Sequence, residues 1–83
     1  MKAYILIKVP ALRSGGIAKA VRGLDGVKQA WALYGDEDII AEVEVADNHA
    51  LDRLVMREIQ GLSPQVSATR TYIVIEDGDV YDN

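Results

Sequence analysis

The 83-residue sequence predicts one α+β domain, with four short strands and two helices in the order β-α-β-β-α-β. Three observations carry that expectation. Strand-like runs recur at residues 3–9, 27–34, 39–46 and 66–76. Apolar residues at helical spacing fill the first and third gaps between them, and the second gap is a four-residue turn. The length allows one hydrophobic core and no second.

The elements follow in order. Ala3, Tyr4, Ile5, Leu6, Ile7, Lys8 and Val9 form the first strand, and Pro10 ends it because it has no N–H to add to a ladder. Ser14 is placed to cap a helix. After Gly15 and Gly16, Ile17, Ala20, Val21 and Leu24 recur at i, i+3, i+4 and i+7 as its apolar stripe. Asp25 and Gly26 make a turn, and residues 27–34 alternate loosely as the second strand. Gly35, Asp36, Glu37 and Asp38 turn the chain into the third strand, where Ile39, Ala41, Val43 and Val45 alternate with Ile40, Glu42 and Glu44. So short a connection makes these two strands an antiparallel hairpin. Asp47 and Asn48 cap a second helix striped by Leu51, Leu54, Val55 and Ile59, and Gly61 stops it as a C-terminal glycine. Ser63 and Pro64 form a loop, residues 66–76 the fourth strand, and residues 77–83 an acidic C-terminal tail.

This order is the ferredoxin-like arrangement, a four-stranded antiparallel sheet with both helices on one face. Alternation gives the sheet two faces. Ala3, Ile5, Ile7 and Val9 share one side of the first strand, and Tyr4, Leu6 and Lys8 the other. On the fourth strand Ser67, Thr69, Thr71, Ile73 and Ile75 oppose Ala68, Arg70, Tyr72 and Val74. The helices cover one face only, and the other is too apolar for a soluble monomer. A homo-oligomer built on a dimer packed sheet to sheet resolves this.

Composition removes several function classes. There are no cysteines and one histidine, which excludes disulfides, thiolate metal sites and a histidine cluster. A net charge of −4 argues against direct nucleic-acid binding. Residues 1–34 carry six Lys/Arg and one acid, whereas residues 35–83 carry three Arg and twelve acids. Such a split can mark a basic arm and an acidic tail, and in a compact domain it more often means complementary faces that meet within or between subunits. The apolar stretch at residues 3–7 is too short for a signal segment or membrane span, so the expected location is the cytoplasm, with no membrane partner.

No catalytic constellation stands out. His49 has only Asp52, an ordinary helix-surface neighbour at i+3. The run Arg13, Ser14, Gly15, Gly16 lacks the lysine and spacing of a P-loop. Asp36, Glu37 and Asp38, like Asp77 and Asp79, lack the ligand spacing of an EF-hand, so neither a metal nor a cofactor is expected. Trp31 and the tyrosines are not interleaved with cations as a base-stacking platform would be. The 35–38 turn with the Thr-x-Thr of the fourth strand is different. Asp38 can accept from an ammonium, free turn N–H groups can receive a carboxylate, and Thr69 and Thr71 add hydroxyls. On spacing alone, a tight turn and two strand-favouring threonines account for the same residues.

The turn Gly35, Asp36, Glu37, Asp38 followed by Ile39, Ile40, Ala41, Glu42 and Val43, and the later Val66, Ser67, Ala68, Thr69, Arg70, Thr71, resemble the effector-binding (RAM) domain of the Lrp/AsnC regulator family. Those motifs are a Gly-x-x-Asp turn after a hydrophobic strand and a Val-x-x-Thr-x-Thr strand, and the resemblance runs from residue 2 to 76. It implies a RAM/ACT-like effector-binding domain over residues 1–76. It also implies sheet-to-sheet dimers that assemble further, and an amino-acid effector bound between dimers near the turn. Carried over, Gly35, Asp38, Thr69 and Thr71 match the motifs, and Asp36 lies inside the turn; these five are the candidate ligand residues. Two positions depart from the pattern. Glu37 stands where an aromatic residue is common, and Tyr34 where a small polar one is. The family's helix-turn-helix is not among these residues, so the chain looks like a stand-alone regulatory module, and a full-length relative that supplies the DNA-binding half is a candidate partner. Two other readings share the topology: a small enzyme of the dimeric α+β barrel type, such as a monooxygenase or isomerase, and a purely structural oligomer.

Overall fold

Alternation along the first strand sets the layers. In β1 (Lys2–Lys8), Ala3, Ile5 and Ile7 have no exposed surface, Tyr4 and Leu6 are half-buried, and Lys8 is exposed. The structure, a computed structural model, describes residues 1–75. Residue 76, expected to end the fourth strand, and the expected acidic tail at 77–83 lie outside the described residues.

After β1 come a single 3₁₀ turn (Ala11–Arg13), α1 (Ser14–Arg22), β2 (Val27–Ala32), β3 (Ile39–Glu44), α2 (Asn48–Arg53) and β4 (Ala68–Ile73). α2 runs on as a π-helical stretch, Leu54–Ile59. The sheet order is β2-β3-β1-β4 with every neighbour antiparallel, as the ferredoxin-like order requires. The core lies between sheet and helices. Every buried residue among those described is Ala, Val, Ile or Leu. Ile5, Ile7, Ile39, Leu54 and Ile59 are wholly enclosed, and burial of each contributes about 1.5–3 kcal/mol relative to exposure.

Several elements differ from the sequence reading, for physical reasons. β2 stops at Ala32 and β3 at Glu44, each two residues early, and β4 runs only from Ala68 to Ile73, starting two residues late and ending before Val74 and Ile75. A register shift between Val27 and Gln29 bulges the edge strand, so Lys28 has no partner in the β2–β3 register. Ser14 is not the cap. It is the first residue of α1, and its hydroxyl donates back to the Ala11 carbonyl at 2.9 Å. Ala20 is exposed and Ala18 takes its place in the buried stripe with Ile17 and Val21. Asp47 does cap α2, its Oδ1 accepting from the Ala50 N–H at 2.9 Å.

The π winding explains itself from the sequence. An α-helix continued past Leu54 would turn Glu58 to the centre of the buried face and carry Ile59 off to its side. Bonding from i to i−5, as in the 3.1 Å bond from the Gln60 N–H to the Val55 carbonyl, gives each residue roughly 80° of turn instead of about 100°. Ile59 then falls in line with Leu51 and is fully buried, and Glu58 is exposed. Gly61 ends the helix, though not in a left-handed cap: the described positive-φ glycines are Gly26 and Gly35. Its need is space, because a Cβ there would stand 2.3 Å from the Arg57 carbonyl oxygen.

The other face of the sheet carries no helix. Tyr4, Leu6 and Ile40 are half-buried there, and Trp31 and Tyr72 are 46% and 51% exposed. Charges of both signs border them. Lys2 lies 5.8 Å from the Tyr4 ring centroid and 3.5 Å from the Glu42 carboxylate. Tyr4 first, and then Glu42, hold the Lys2 ammonium above its ordinary pKa.

Two glycines are expected to respond oppositely to alanine. Gly61→Ala forces a backbone shift and should destabilise by about 1–3 kcal/mol. Gly16→Ala meets nothing within 4 Å inside a helix and should stabilise by about 0.4–1 kcal/mol. Thermal melts of both variants check this, with each kcal/mol moving Tm by about 4–8 °C.

Candidate functional site

The hairpin end is built by hydrogen bonds from three strands. β2 and β3 close at Ala32 opposite Ile39, and the Leu33 N–H donates to the Asp38 carbonyl at 2.7 Å. The Asp38 N–H donates to the Ile7 carbonyl at 3.0 Å. Beyond the β1–β3 ladder, the Val9 N–H donates to Asp38 Oδ2 at 3.0 Å. The half-buried Asp38 carboxylate thus continues the sheet by one bond where backbone pairing has run out. Among the described residues, Asp38 Oδ1 carries no hydrogen bond. Gly35 takes φ +158°, and a Cβ there would meet only the Glu37 carbonyl oxygen at 3.8 Å, so the backbone angle and not crowding favours glycine.

The turn's acids diverge. Glu37 forms an ion pair with Arg70 of β4. Asp36 is held through its carbonyl, which accepts from Lys8 Nζ at 2.6 Å. Among the described residues no three His, Cys, Asp or Glu side chains come together as a cation site.

Gly35 and Asp38 line an open groove of about 490 Å³ with Ala11, Ser14, Leu33 and Tyr34. That volume lies in the range of small-molecule sites. The threonines lie elsewhere. Thr71 lines a second groove of about 550 Å³ between α2 and β4, with Asn48, Asp52, Val55, Met56 and Ile73. Thr69 Oγ1 accepts from Gln60 Nε2 at 3.5 Å. The register explains the separation. Ile7 pairs with Ile39 on one side and with Thr69 on the other, so β1 stands between turn and threonines. Two strand spacings are roughly 10 Å, too far for the adjacent ammonium and carboxylate of one α-amino acid to reach both within one chain.

Sequence reasoning found Gly35 and Asp38 together. It did not find Ser14 and Ala11 as groove walls, nor Lys8 and Arg70 as contacts of the turn. The signal for the last two was their shared strand face, which becomes informative only with the register Leu6↔Arg70 and Lys8↔Ala68. His49 is exposed on α2 beside Arg53 and Arg57.

The family described as Lrp/AsnC ligand binding domain matches residues 2–78. Comparison with curated protein sequences found no match. Among solved structures, TTHA0845 from Thermus thermophilus is 26% identical, with a TM-score of 0.84 over 99% of this chain and 98% of that one. E. coli AsnC is 22% identical, with a TM-score of 0.82 over 99% of this chain and 55% of that one. The transcriptional regulator NMB0573 from Neisseria meningitidis, solved as an L-Met complex, is 20% identical, with a TM-score of 0.76 over 92% of this chain and 50% of that one. The chain spans about half the length of these two regulators, and at that identity the likeness shows the fold. On the family match across nearly its whole length, the chain belongs to the Lrp/AsnC family, as its ligand-binding domain.

Proposed function

We propose that the chain is an amino-acid-responsive assembly module. It binds the effector at the 35–38 turn, associates with further copies through the open sheet face, and so acts on transcription or amino-acid metabolism. One observation carries the reading: Asp38 lines a groove with one carboxylate oxygen committed to the Val9 N–H and the other open to an ammonium. Asp36 does not line the groove, and its carbonyl is held by Lys8 from the other side of the turn. Thr69 and Thr71 lie on the helix side of the sheet, with β1 between them and the turn of their own chain, so they join the site only from a further copy that meets the groove itself, not from the one on the open face. The L-Met complex of the related regulator supports an amino acid as the ligand class.

The open face fits a second copy. It carries Tyr4, Leu6, Trp31, Ile40 and Tyr72 beside Lys2, Lys8, Arg70, Glu42 and Glu44. Apolar side chains with cations and anions interspersed give a self-complementary patch, as a two-fold interface requires. The barrel-enzyme reading needs polar groups converging between helices and sheet, whereas that space is filled by aliphatic side chains.

Sedimentation at micromolar concentration is expected to give the mass of a dimer or larger closed assembly; a monomer mass rejects the open-face reading. Calorimetric titration with each of the twenty amino acids is expected to find one that binds. Asp38→Ala should then lower its affinity roughly ten- to a hundredfold, through loss of a charge-assisted bond of about 1.5–3 kcal/mol. Because Asp38 also braces β1, thermal melting of the variant runs alongside. Unchanged affinity in a folded Asp38→Ala chain moves the site elsewhere, and no binding by the wild type leaves the structural oligomer.

A further inference from the structure

We propose that Lys8 and Arg70 are positioning residues that hold the 35–38 turn from the open face of the sheet, so that covering this face with a second copy tightens the groove on the turn. The inference rests on the reading of turn and open face given above, and adds how the two communicate.

The turn is shared between two surfaces. Gly35 and Asp38 line the groove, with Leu33 and Tyr34 beside them. Asp36 and Glu37, between them in sequence, are gripped from elsewhere: Lys8 Nζ donates to the Asp36 carbonyl at 2.6 Å, and Arg70 pairs with Glu37. Lys8 shares its face of β1 with Tyr4 and Leu6, and Arg70, opposite Leu6 in the register, shares that face with Tyr72, opposite Tyr4. Both cations therefore belong to the open face, and neither belongs to the hairpin it holds. A cation from each of two strands closes on one four-residue turn that has no regular structure of its own.

The strength of the grip depends on what lies over it. The Glu37 side chain is 19% exposed and that of Arg70 57%. Water screens such a pair, and it contributes little in an isolated chain. A second copy packed on the open face displaces that water and strengthens the attraction. A turn already fixed loses less conformational freedom when an effector fills the groove. By linkage, the effector must then favour association to the same degree.

Amide hydrogen exchange at Leu33 and Asp38 reads the turn directly and needs no effector. It is followed over chain concentrations that span association, with sedimentation mass recorded in parallel. In the wild type these two amides should slow by about twofold to tenfold beyond the Glu44 amide, which bonds to the Gly26 carbonyl at the other end of the hairpin. Arg70→Gln, Glu37→Gln and Lys8→Met, compared at equal assembly mass, should each lose about twofold to fivefold of that extra slowing, the range of a solvated ion pair or exposed ammonium hydrogen bond. The swap Glu37→Arg with Arg70→Glu should restore it. Equal slowing in wild type and variants overturns the proposal and leaves the proposed function standing. A wild-type chain that stays monomeric, seen independently in the mass, overturns the open-face reading and this proposal with it.

Discussion

The pairing of β1 with β3 on one side and β4 on the other is the constraint on which the molecule depends. Ile5 faces Ala41 and Thr71, and Ile7 faces Ile39 and Thr69. One strand therefore fixes the height of both neighbours, and with it the place of each hairpin and crossover. Because the side-chain period is two, a slip of one residue would turn Ala3, Ile5 and Ile7 onto the open face and bring Tyr4, Leu6 and Lys8 under the helices. The fully buried aliphatic row and the bulky, partly charged row make such a slip costly in both directions. Asp38 reinforces the register at its end by meeting both Ile7 and Val9.

Much of this was legible in the sequence, because the fold depends on periodicity, which is local. The alternation of residues 3–9 and 39–45 gave both central strands with the right faces, and Leu51, Leu54, Val55 and Ile59 are all buried as read. What local pattern could not give was set by distant contacts. Ala18 replaces Ala20 in the core because the sheet's position, not the stripe alone, decides which small residue faces inward. Ser14 lost its cap role when Ala11–Arg13 wound into a 3₁₀ turn ahead of it and offered a carbonyl to its hydroxyl. At the candidate site, the Gly-x-x-Asp spacing placed Gly35 and Asp38 in one groove. The threonine motif was equally visible, yet its distance from the turn is a property of strand order, which no spacing within a motif contains.

The two sheet faces divide the work of the chain. The buried core under the helices is wholly aliphatic and supplies stability, with Thr69 and Thr71 at its β4 edge. The open face mixes rings, aliphatic side chains and both signs of charge, a composition suited to contact and not to a sealed core. A domain of this length buries a smaller fraction of its unfolded surface than a larger one, so an additional interface is worth proportionally more to it. The hairpin turn lies where these two economies meet, bonded by backbone to the interior strands and by side chains to the open face.

The π-wound stretch Leu54–Ile59 has a genealogical reading. Over one turn it holds one residue more than an α-helix would need to bring the same aliphatic side chains to the sheet. Remove a solvent-facing residue such as Arg57 and ordinary α winding delivers Ile59 to the same spot, with Gly61 still available to end the helix. A relative shorter by one residue here would keep an unchanged core. When such chains are laid side by side, the gap belongs inside the helix and not in the loop that follows it. An alignment that pushes the gap out to the Ser63, Pro64 loop would pair Glu58 with a buried aliphatic position and misread a charge as part of the core.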